Sequence, residues 1–229
     1  MDRVDDVVVS TRIRLARNIK KLPFPKRLSG QEEIYSVLMK GVKEACDELF
    51  ETKFYKMCDI DELLAQSYVE KHLISKDLIK NVNFGALAVN ADEDIAVMIN
   101  EEDHIREQCI TDGFDLDGAY KKILRVDEKI SEKLDIAFDP VLGYLTDCPT
   151  NLGAAMRASV MVFMPDLTMT KKIDRLINDL QRLEFTTRGV YGEGSTAQGF
   201  MYQISNQATV GKSEEDIIKL VKKTVGSII

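Results

Sequence analysis

The chain has 229 residues, of which 45% are hydrophobic and 30% are charged, and its formal net charge is −7. This length suffices for one substantial core, and no run approaches the roughly 18 apolar residues of a membrane-spanning helix. The acidic balance argues against direct nucleic-acid binding, which needs many basic side chains on one face. The first residues, MDRVDD, lack the basic and apolar regions of a signal peptide, so we expect a cytoplasmic protein without membrane contact.

The cysteines and histidines lack the spacing of a zinc site. They are Cys46, Cys58, Cys109, Cys148, His72 and His104. We therefore expect reduced thiols and no metal site built from these side chains.

The first predicted elements are a strand and a helix. Residues Asp6 to Arg17 alternate apolar and polar positions, which predicts a strand with Arg12 and Arg14 on one face. Ser29 and Glu32 form a capping box for a helix that runs to about Leu49. Its predicted apolar stripe comprises Ile34, Val37, Leu38, Val42, Ala45 and Leu49. A second helix is predicted from about Asp59.

The rest of the chain mixes strands and helices without strict alternation. The pattern predicts strands at 86–90, 95–100, 143–146, 158–164, 185–188 and 200–205, and helices at 115–134 and 171–183. Ser213 and Asp216 predict the start of a last helix. Because residues 86–100 form a hairpin pattern, we expect an α+β fold with a mostly antiparallel sheet flanked by helices.

Five arginines are candidate phosphate ligands. They lie at predicted strand ends or beside glycine-rich turns: Arg12, Arg14, Arg106, Arg157 and Arg188. The planar guanidinium matches phosphate oxygens in two-point contacts and keeps its charge. Each arginine alone is typical of a solvated surface, but a converging set could hold a triphosphate.

The segment Arg188–Ser195 contains three glycines, which suits a loop whose backbone approaches a ligand closely. It matches neither the P-loop nor the dinucleotide-binding pattern. The segment alone is therefore weak evidence of a nucleotide site.

Three further features are open to two interpretations. The acidic run Glu101–Asp103 could orient a cationic nucleophile or contact magnesium, or it could be a solvated turn. Cys148 could be a thiolate beside a substrate or a small buried hydrophobic residue. His72 could stack on a base or lie at a helix end near its dipole.

Four motifs in order carry a family resemblance. They are Ser10–Asn18 (STRIRLARN), Asn100–Arg106 (NEEDHIR), Cys148–Gly153 (CPTNLG) with Arg157–Val160 (RASV), and Arg188–Gly194 (RGVYGEG). Together they closely resemble the catalytic domain of arginine and creatine kinases. The segments Glu70–Ser75, Tyr191–Ser195 and Ile204–Gln207 most resemble the McsB-type protein arginine kinases within this guanidino-kinase superfamily.

The resemblance implies transfer of the ATP γ-phosphoryl group to a guanidinium, on a sheet of the glutamine synthetase type. It assigns the guanidinium to Glu102 and Glu193, with Cys148 nearby, and the adenine to His72. It assigns the nucleotide to Ser10, Thr11, Arg12, Ile13, Arg14, Arg106, Arg157, Ala158, Ser159, Val160, Met161, Arg188, Gly189, Val190, Tyr191 and Gly192. Guanidinium is a poor nucleophile that must be oriented and must lose a proton, which two carboxylates can achieve. Phosphoryl transfer needs alignment and positive charge, which arginines and Mg²⁺ supply.

The resemblance also sets expectations for domains and partners. We expect residues 1–229 to form one phosphotransferase domain, with neither the helical domain of small-molecule guanidino kinases nor a phosphoarginine-binding domain. That favours exposed arginines of misfolded or regulatory proteins as substrates, in protein quality control. The resemblance further allows an activator protein, Clp-type protease machinery and a homodimer as partners.

Three positions depart from the family pattern. Asp147 stands where the family usually has a serine or threonine, and its carboxylate should disfavour a Cys148 thiolate by like-charge repulsion. Ala154-Ala155 replaces the usual Thr-Gly. Two other functions stay open. One is a kinase of a small guanidino compound, and the other, suggested by Asp147 and the short length, is a weakly active ATP-binding regulatory protein.

Overall fold

The computed structural model describes residues 7–25, 31–189 and 199–229. Its main feature is an eight-stranded sheet in the order β2-β3-β4-β5-β1-β8-β10-β9, in which all neighbours are antiparallel. The strands are β1 Val8–Arg17, β2 Thr52–Lys56, β3 Ala86–Asn90, β4 Ile95–Ile99, β5 Ile105–Asp112, β8 Met156–Phe163, β9 Phe185–Arg188 and β10 Met201–Asn206. A separate small hairpin pairs β6 Phe138–Asp139 with β7 Gly143–Tyr144.

Seven helices lie within the described residues. They are α1 Gln31–Asp47, α2 Glu62–Glu70, α3 Lys76–Lys80, α4 Leu116–Lys133, α5 Pro165–Met169, α6 Ile173–Arg182 and α7 Glu214–Ile228. Side chains of Asp61, Ser75, Asp115 and Ser213 accept hydrogen bonds from the first-turn amides of α2, α3, α4 and α7, so local sequence fixes where these helices begin.

The two faces of the sheet carry different side chains. On one face, Ile13 and Leu15 of β1 pack with Ala158 and Val160 of β8 under α1, α4 and α7. Residues directly opposite in an antiparallel pair share a face, so the alternate positions Arg12 and Arg14 emerge on the other side. One face thus forms the main core and the other carries the arginines.

Part of the arginine-bearing face is covered by a second apolar cluster. Leu87, Val89 and Met98 of β3 and β4 pack there against Tyr68 of α2 and Leu78 of α3. This cluster leaves the ends of β5, β1 and β8 open, which is where the candidate ligands lie.

The predicted fold class is confirmed, and most predicted strands and helices are present within a few residues of their predicted bounds. Two details are wrong. Val37 is 56% exposed, because it points away from the core that Leu38 and Val42 enter. The predicted strand 143–146 is only the two-residue β7, outside the main sheet, because the chain turns to make the hairpin. Ser29, the predicted cap of the first helix, lies outside the described residues.

Candidate active site

Strand register brings four predicted arginines to one face of the sheet. Arg14 lies directly opposite Arg157, and Arg12 lies two positions along the same face. Arg188 reaches this face from β9, opposite Gln203 of β10. Gln203 also accepts a hydrogen bond from Arg12 Nη2 at 3.2 Å, which links the two strands.

The arginines are close enough to perturb one another. Burial, and then the charges of Arg157, Arg106 and Arg188, lower the pKa of Arg12 to about 10. Burial and the neighbouring arginines lower the pKa of Arg14 as well, with a smaller opposing effect from Glu101. Like charges held together at this cost favour a polyanion, because a bound triphosphate would remove the repulsion.

The acidic run is a structured turn beside the arginines. Arg106 forms ion pairs with both Glu101 and Glu102, the latter at 2.9 Å from Nη2 to Oε2. The other Glu101 oxygen accepts a hydrogen bond from Ser75 Oγ at 2.7 Å. The Glu101 side chain is only 4% exposed, whereas Glu102 is 32% exposed, so Glu102 is the carboxylate that an incoming group can reach.

The arginines and the acidic turn line one cavity of about 660 Å³. Its wall includes Arg14, Arg106, Arg157 and Arg188 on the sheet, the carboxylates of Asp77, Glu101 and Glu102, and Cys148, Thr150 and Asn151. The cavity therefore combines groups that suit a phosphate chain with groups that suit a cation.

Cys148 lies half-buried at this cavity, just before a short 3₁₀ turn, Pro149–Asn151. Its Sγ is 3.0 Å from Thr150 Oγ1. At this distance the hydroxyl and the thiol can share a hydrogen bond, with either atom as the donor. The thiol thus has a hydroxyl neighbour two residues later in the chain, in addition to the preceding Asp147.

His72 is held beside the arginine face by its backbone. The carbonyl oxygen of His72 accepts a hydrogen bond from Gln108 Nε2 at 2.7 Å, and Gln108 lies opposite Arg14 in the sheet. Burial, and then the charge of Arg12, lower the pKa of His72, which favours the neutral imidazole. A neutral ring suits stacking on a base.

The remaining predicted ligands differ in placement. Thr11, Ile13, Ala158 and Val160 point their side chains away from the arginines: the last three lie in the main core, and Thr11 Oγ1 donates to Gly113 O at 2.7 Å. Ser159 and Met161 share the arginine face, Ser10 lies opposite Met161, and Gly189 is buried just after β9. Val190, Tyr191, Gly192 and Glu193 lie outside the described residues.

Three residues of the site were given no role by the sequence-based prediction. Gln108 ties the His72 loop to the sheet, Ser75 holds Glu101, and Asp77 lines the cavity. Ser75 and Asp77 begin α3, and the Ser-x-Asp pattern is a helix-start signal that could have located them. Gln108 carries no such signal, because strand β5 does not alternate.

Comparison with known proteins identifies the family. Residues 33–229 match the model of the ATP:guanido phosphotransferase C-terminal catalytic domain. The chain is 50% identical to a protein-arginine kinase of Clostridium acetobutylicum and 46% identical to one of Clostridium tetani, in each case over 98% of this chain. It spans 67% and 66% of the length of these two relatives, or about two thirds.

Solved structures of guanidino kinases share the fold of this chain. The taurocyamine kinase of Schistosoma mansoni with bound transition state analog components superposes with a TM-score of 0.86 at 26% identity, over 97% of this chain and 32% of that one. Lombricine kinase superposes with a TM-score of 0.83 at 25% identity, over 98% of this chain and 65% of that one. The sequence and fold together establish that the chain belongs to the ATP:guanido phosphotransferase family, whose members transfer a phosphoryl group from ATP to a guanidino acceptor.

Proposed function

We propose that this chain is the phosphotransferase domain of a protein arginine kinase, which transfers the γ-phosphoryl group of ATP to arginine side chains in proteins. The observation that carries the proposal is the shared cavity, in which an arginine row lies beside the accessible carboxylate of Glu102. The names of the sequence relatives favour a protein as the acceptor. The continuous sheet from β2 to β9 supports one domain over residues 1–229.

The arginine row would hold the phosphate chain. Arg14, Arg157 and Arg188 present rigid forks from three strands, so they can neutralise charge on the transferring group without reorganisation. Gly189 and the predicted contacts at Val190, Tyr191 and Gly192 would follow directly on Arg188. His72, neutral beside Arg12, is placed to meet the adenine.

Glu102 would orient the acceptor guanidinium and receive its proton. In this structure its carboxylate is paired with the guanidinium of Arg106, which is the same chemical group as the proposed acceptor. Glu193 is proposed as the second carboxylate, and Cys148, with Thr150 beside it, as a neighbour of the same group. Two carboxylates hold the planar acceptor in line with the phosphorus, which is the main requirement of phosphoryl transfer.

The cavity also suits Mg²⁺, which binds one or two carboxylates together with phosphate oxygens. Glu101 and Glu102 line the cavity beside the arginines and carry such oxygens. When bound with ATP, Mg²⁺ would neutralise phosphate charge.

No helix among residues 7–25, 31–189 and 199–229 is both long and apolar enough to cross a membrane. Misfolded or regulatory substrates, a cytoplasmic location, an activator protein, Clp-type proteases and a homodimer stay predictions.

The decisive experiment is incubation with ATP, magnesium and an unfolded protein, followed by mass spectrometry under non-acidic conditions that preserve phosphoarginine. Glu102→Gln should abolish labelling while ATP still binds, because its partner is the acceptor. Glu48→Gln, which changes an exposed carboxylate bonded to Lys133, is the matched control and should label normally.

Three results would contradict the proposal. Efficient labelling of free arginine and none of protein would favour a small guanidino compound as the acceptor. ATP binding without transfer to either acceptor would favour a regulatory protein. Loss of ATP binding in Glu102→Gln with normal turnover at saturation would remove Glu102 from its proposed role.

A further inference from the structure

A buried polar pair lies directly behind the proposed acceptor site. Asp103 is 0% exposed and Asn18 is 1% exposed. Asp103 Oδ1 accepts one hydrogen bond from Asn18 Nδ2 at 2.7 Å and a second from the backbone N–H of Asp147 at 2.9 Å. One carboxylate oxygen therefore joins the acidic turn to the segment that carries Cys148.

Asn18 extends the same connection. Its Oδ1 accepts from the backbone N–H of His104 at 2.9 Å, and its Nδ2 also donates to the carbonyl oxygen of Leu145 at 2.9 Å. Its own carbonyl oxygen accepts from the N–H of Ala137 at 2.7 Å. The pair thus ties the end of β1 to the turn before β5 and to the segment before Cys148.

Stability alone does not account for this arrangement. Burial raises the pKa of Asp103, against the smaller lowering effects of its bonds to Asn18 and Asp147. Its second oxygen, Oδ2, is buried and accepts no hydrogen bond from the described residues. A buried carboxylate with one unsatisfied oxygen is costly, and such groups in native proteins call for a specific reason.

The position of the pair supplies that reason. Glu102 directly precedes Asp103, and Cys148 directly follows Asp147. The hydrogen bond between Asp103 and Asp147 therefore lies one residue away from each of the two groups proposed to contact the acceptor guanidinium. The turn also includes a left-handed residue, Asn100, with φ of 55°, whose side-chain Nδ2 donates to the carbonyl oxygen of Phe84 at 3.1 Å. Several hydrogen bonds thus hold this turn in a strained conformation, as is typical of functional sites.

We propose that Asn18 and Asp103 are positioning residues that fix the carboxylate of Glu102 relative to Cys148. This inference rests on the proposed function, because it takes Glu102 as the acceptor carboxylate. Neither residue lines the cavity, so both act through the groups that they hold.

The test compares Asp103→Asn with Glu107→Gln. Both change a fully buried carboxylate to an amide, but Glu107 lies opposite Leu15 on the core face of the sheet. Asp103→Asn should lower kcat on a protein substrate about 10- to 100-fold, since misplacement by about 1 Å can cost 10²-fold, while the Kd of ATP changes less than about twofold. Glu107→Gln should keep kcat within about twofold of the unchanged protein.

A second readout does not depend on activity. Alkylation of Cys148 by iodoacetamide, followed by peptide mass spectrometry to separate it from the exposed Cys58, should be severalfold faster in Asp103→Asn, because a neutral amide oxygen holds the N–H of Asp147 more weakly than a carboxylate does. The exchanged pair Asn18→Asp/Asp103→Asn restores one amide donor and one carboxylate acceptor, so it should recover part of the kcat and slow alkylation again. Cys58 should react equally in every variant.

If Asp103→Asn does not fold, Asn18→Ser provides the same comparison. The shorter serine side chain loses the hydrogen bond to Asp103, while the bond from the Asp147 N–H to Asp103 stays intact. Unchanged kcat per folded molecule together with unchanged Cys148 alkylation would overturn the inference. A chain that phosphorylates no protein, yet shows the expected alkylation changes, would instead defeat the proposed function and leave the pair as the support of the Cys148 loop.

Discussion

Arginines on the two faces of strand β1 show how differently one side chain can be used. Arg17, on the core face, is 1% exposed, makes two hydrogen bonds of 2.8 Å to Asp127, and lies 3.5 Å over the ring of Tyr144. Arg14, on the other face, has a pKa that burial and then the neighbouring arginines lower. A buried arginine with its own carboxylate stabilises the fold, whereas arginines gathered against their mutual repulsion indicate a site for an anion.

The sharpest test of this contrast is removal of the paired arginine. Arg17→Met should lower the free energy of unfolding by about 3 to 5 kcal/mol, because Asp127 would be left buried without its cation. Urea denaturation measures this as a lower midpoint with an unchanged m-value. Arg14→Met is the matched control and should leave stability equal or higher, since it removes a repelled charge. Equal losses of unfolding free energy in both variants would contradict the distinction between a structural arginine and an anion-binding one.

The same two variants should differ in the opposite sense when ATP affinity is measured: Arg14→Met should now show the larger loss. Arg14→Met should weaken ATP binding about tenfold to a hundredfold, since a charge-assisted contact to phosphate is lost, and should abolish most of the ATP-induced rise in Tm. Folded Arg17→Met should bind ATP nearly as the unchanged protein does. Isothermal titration at one fixed salt concentration gives both values. Normal ATP affinity in Arg14→Met would mean that the row does not bind the phosphates.

This contrast also explains what the sequence could and could not predict. The alternation in β1 placed Arg12 and Arg14 on one face, which the register confirms. It could not show that Arg17 is structural, because its partner Asp127 is 110 residues away in α4. Strand β5 was missed because Glu107 and Gln108 are adjacent, polar and both buried, one on each face, so the segment has no apolar alternation.

The cysteine loop gives a second example. From the sequence, Asp147 was expected to be the main influence on Cys148. The 3₁₀ turn brings Thr150 Oγ1 to 3.0 Å from Sγ, and the N–H of Asp147 is used by Asp103. The surroundings of Cys148 thus include a contact that depends on a turn, which single sequence positions do not reveal.

Glu107 offers a smaller, pH-dependent effect on the core face. Burial, and then the charge of Asp127, raise the pKa of Glu107 well above its usual range, with Arg17 opposing. A carboxyl whose pKa is raised by folding stabilises most fully below its unfolded pKa of about 4.3, and this contribution is lost as pH rises through the folded value, by at most about 1.4 kcal/mol per pH unit. Glu107→Gln should remove that loss and raise stability at neutral pH. Unfolding curves between pH 4 and 8 should then lie closer together, whereas the exposed Glu128→Gln should follow the unchanged protein.

The smallest predicted effect concerns the backbone beside the cavity. Ala155 has φ of 47°, a left-handed conformation that costs an alanine about 1 to 2 kcal/mol, and its carbonyl oxygen accepts from the N–H of Ala16 at 3.0 Å. Glycine adopts this conformation without that strain but loses about 0.5 to 1 kcal/mol more backbone entropy on folding. Ala155→Gly should therefore stabilise the protein by about 0.5 kcal/mol, which thermal unfolding would detect as a small rise in Tm. The neighbouring Ala154→Gly, at a position without positive φ, should instead lower Tm. A lower Tm in both variants would mean that the loop around Ala155 relaxes its strain elsewhere, and that the departure from Thr-Gly at this position costs the fold nothing.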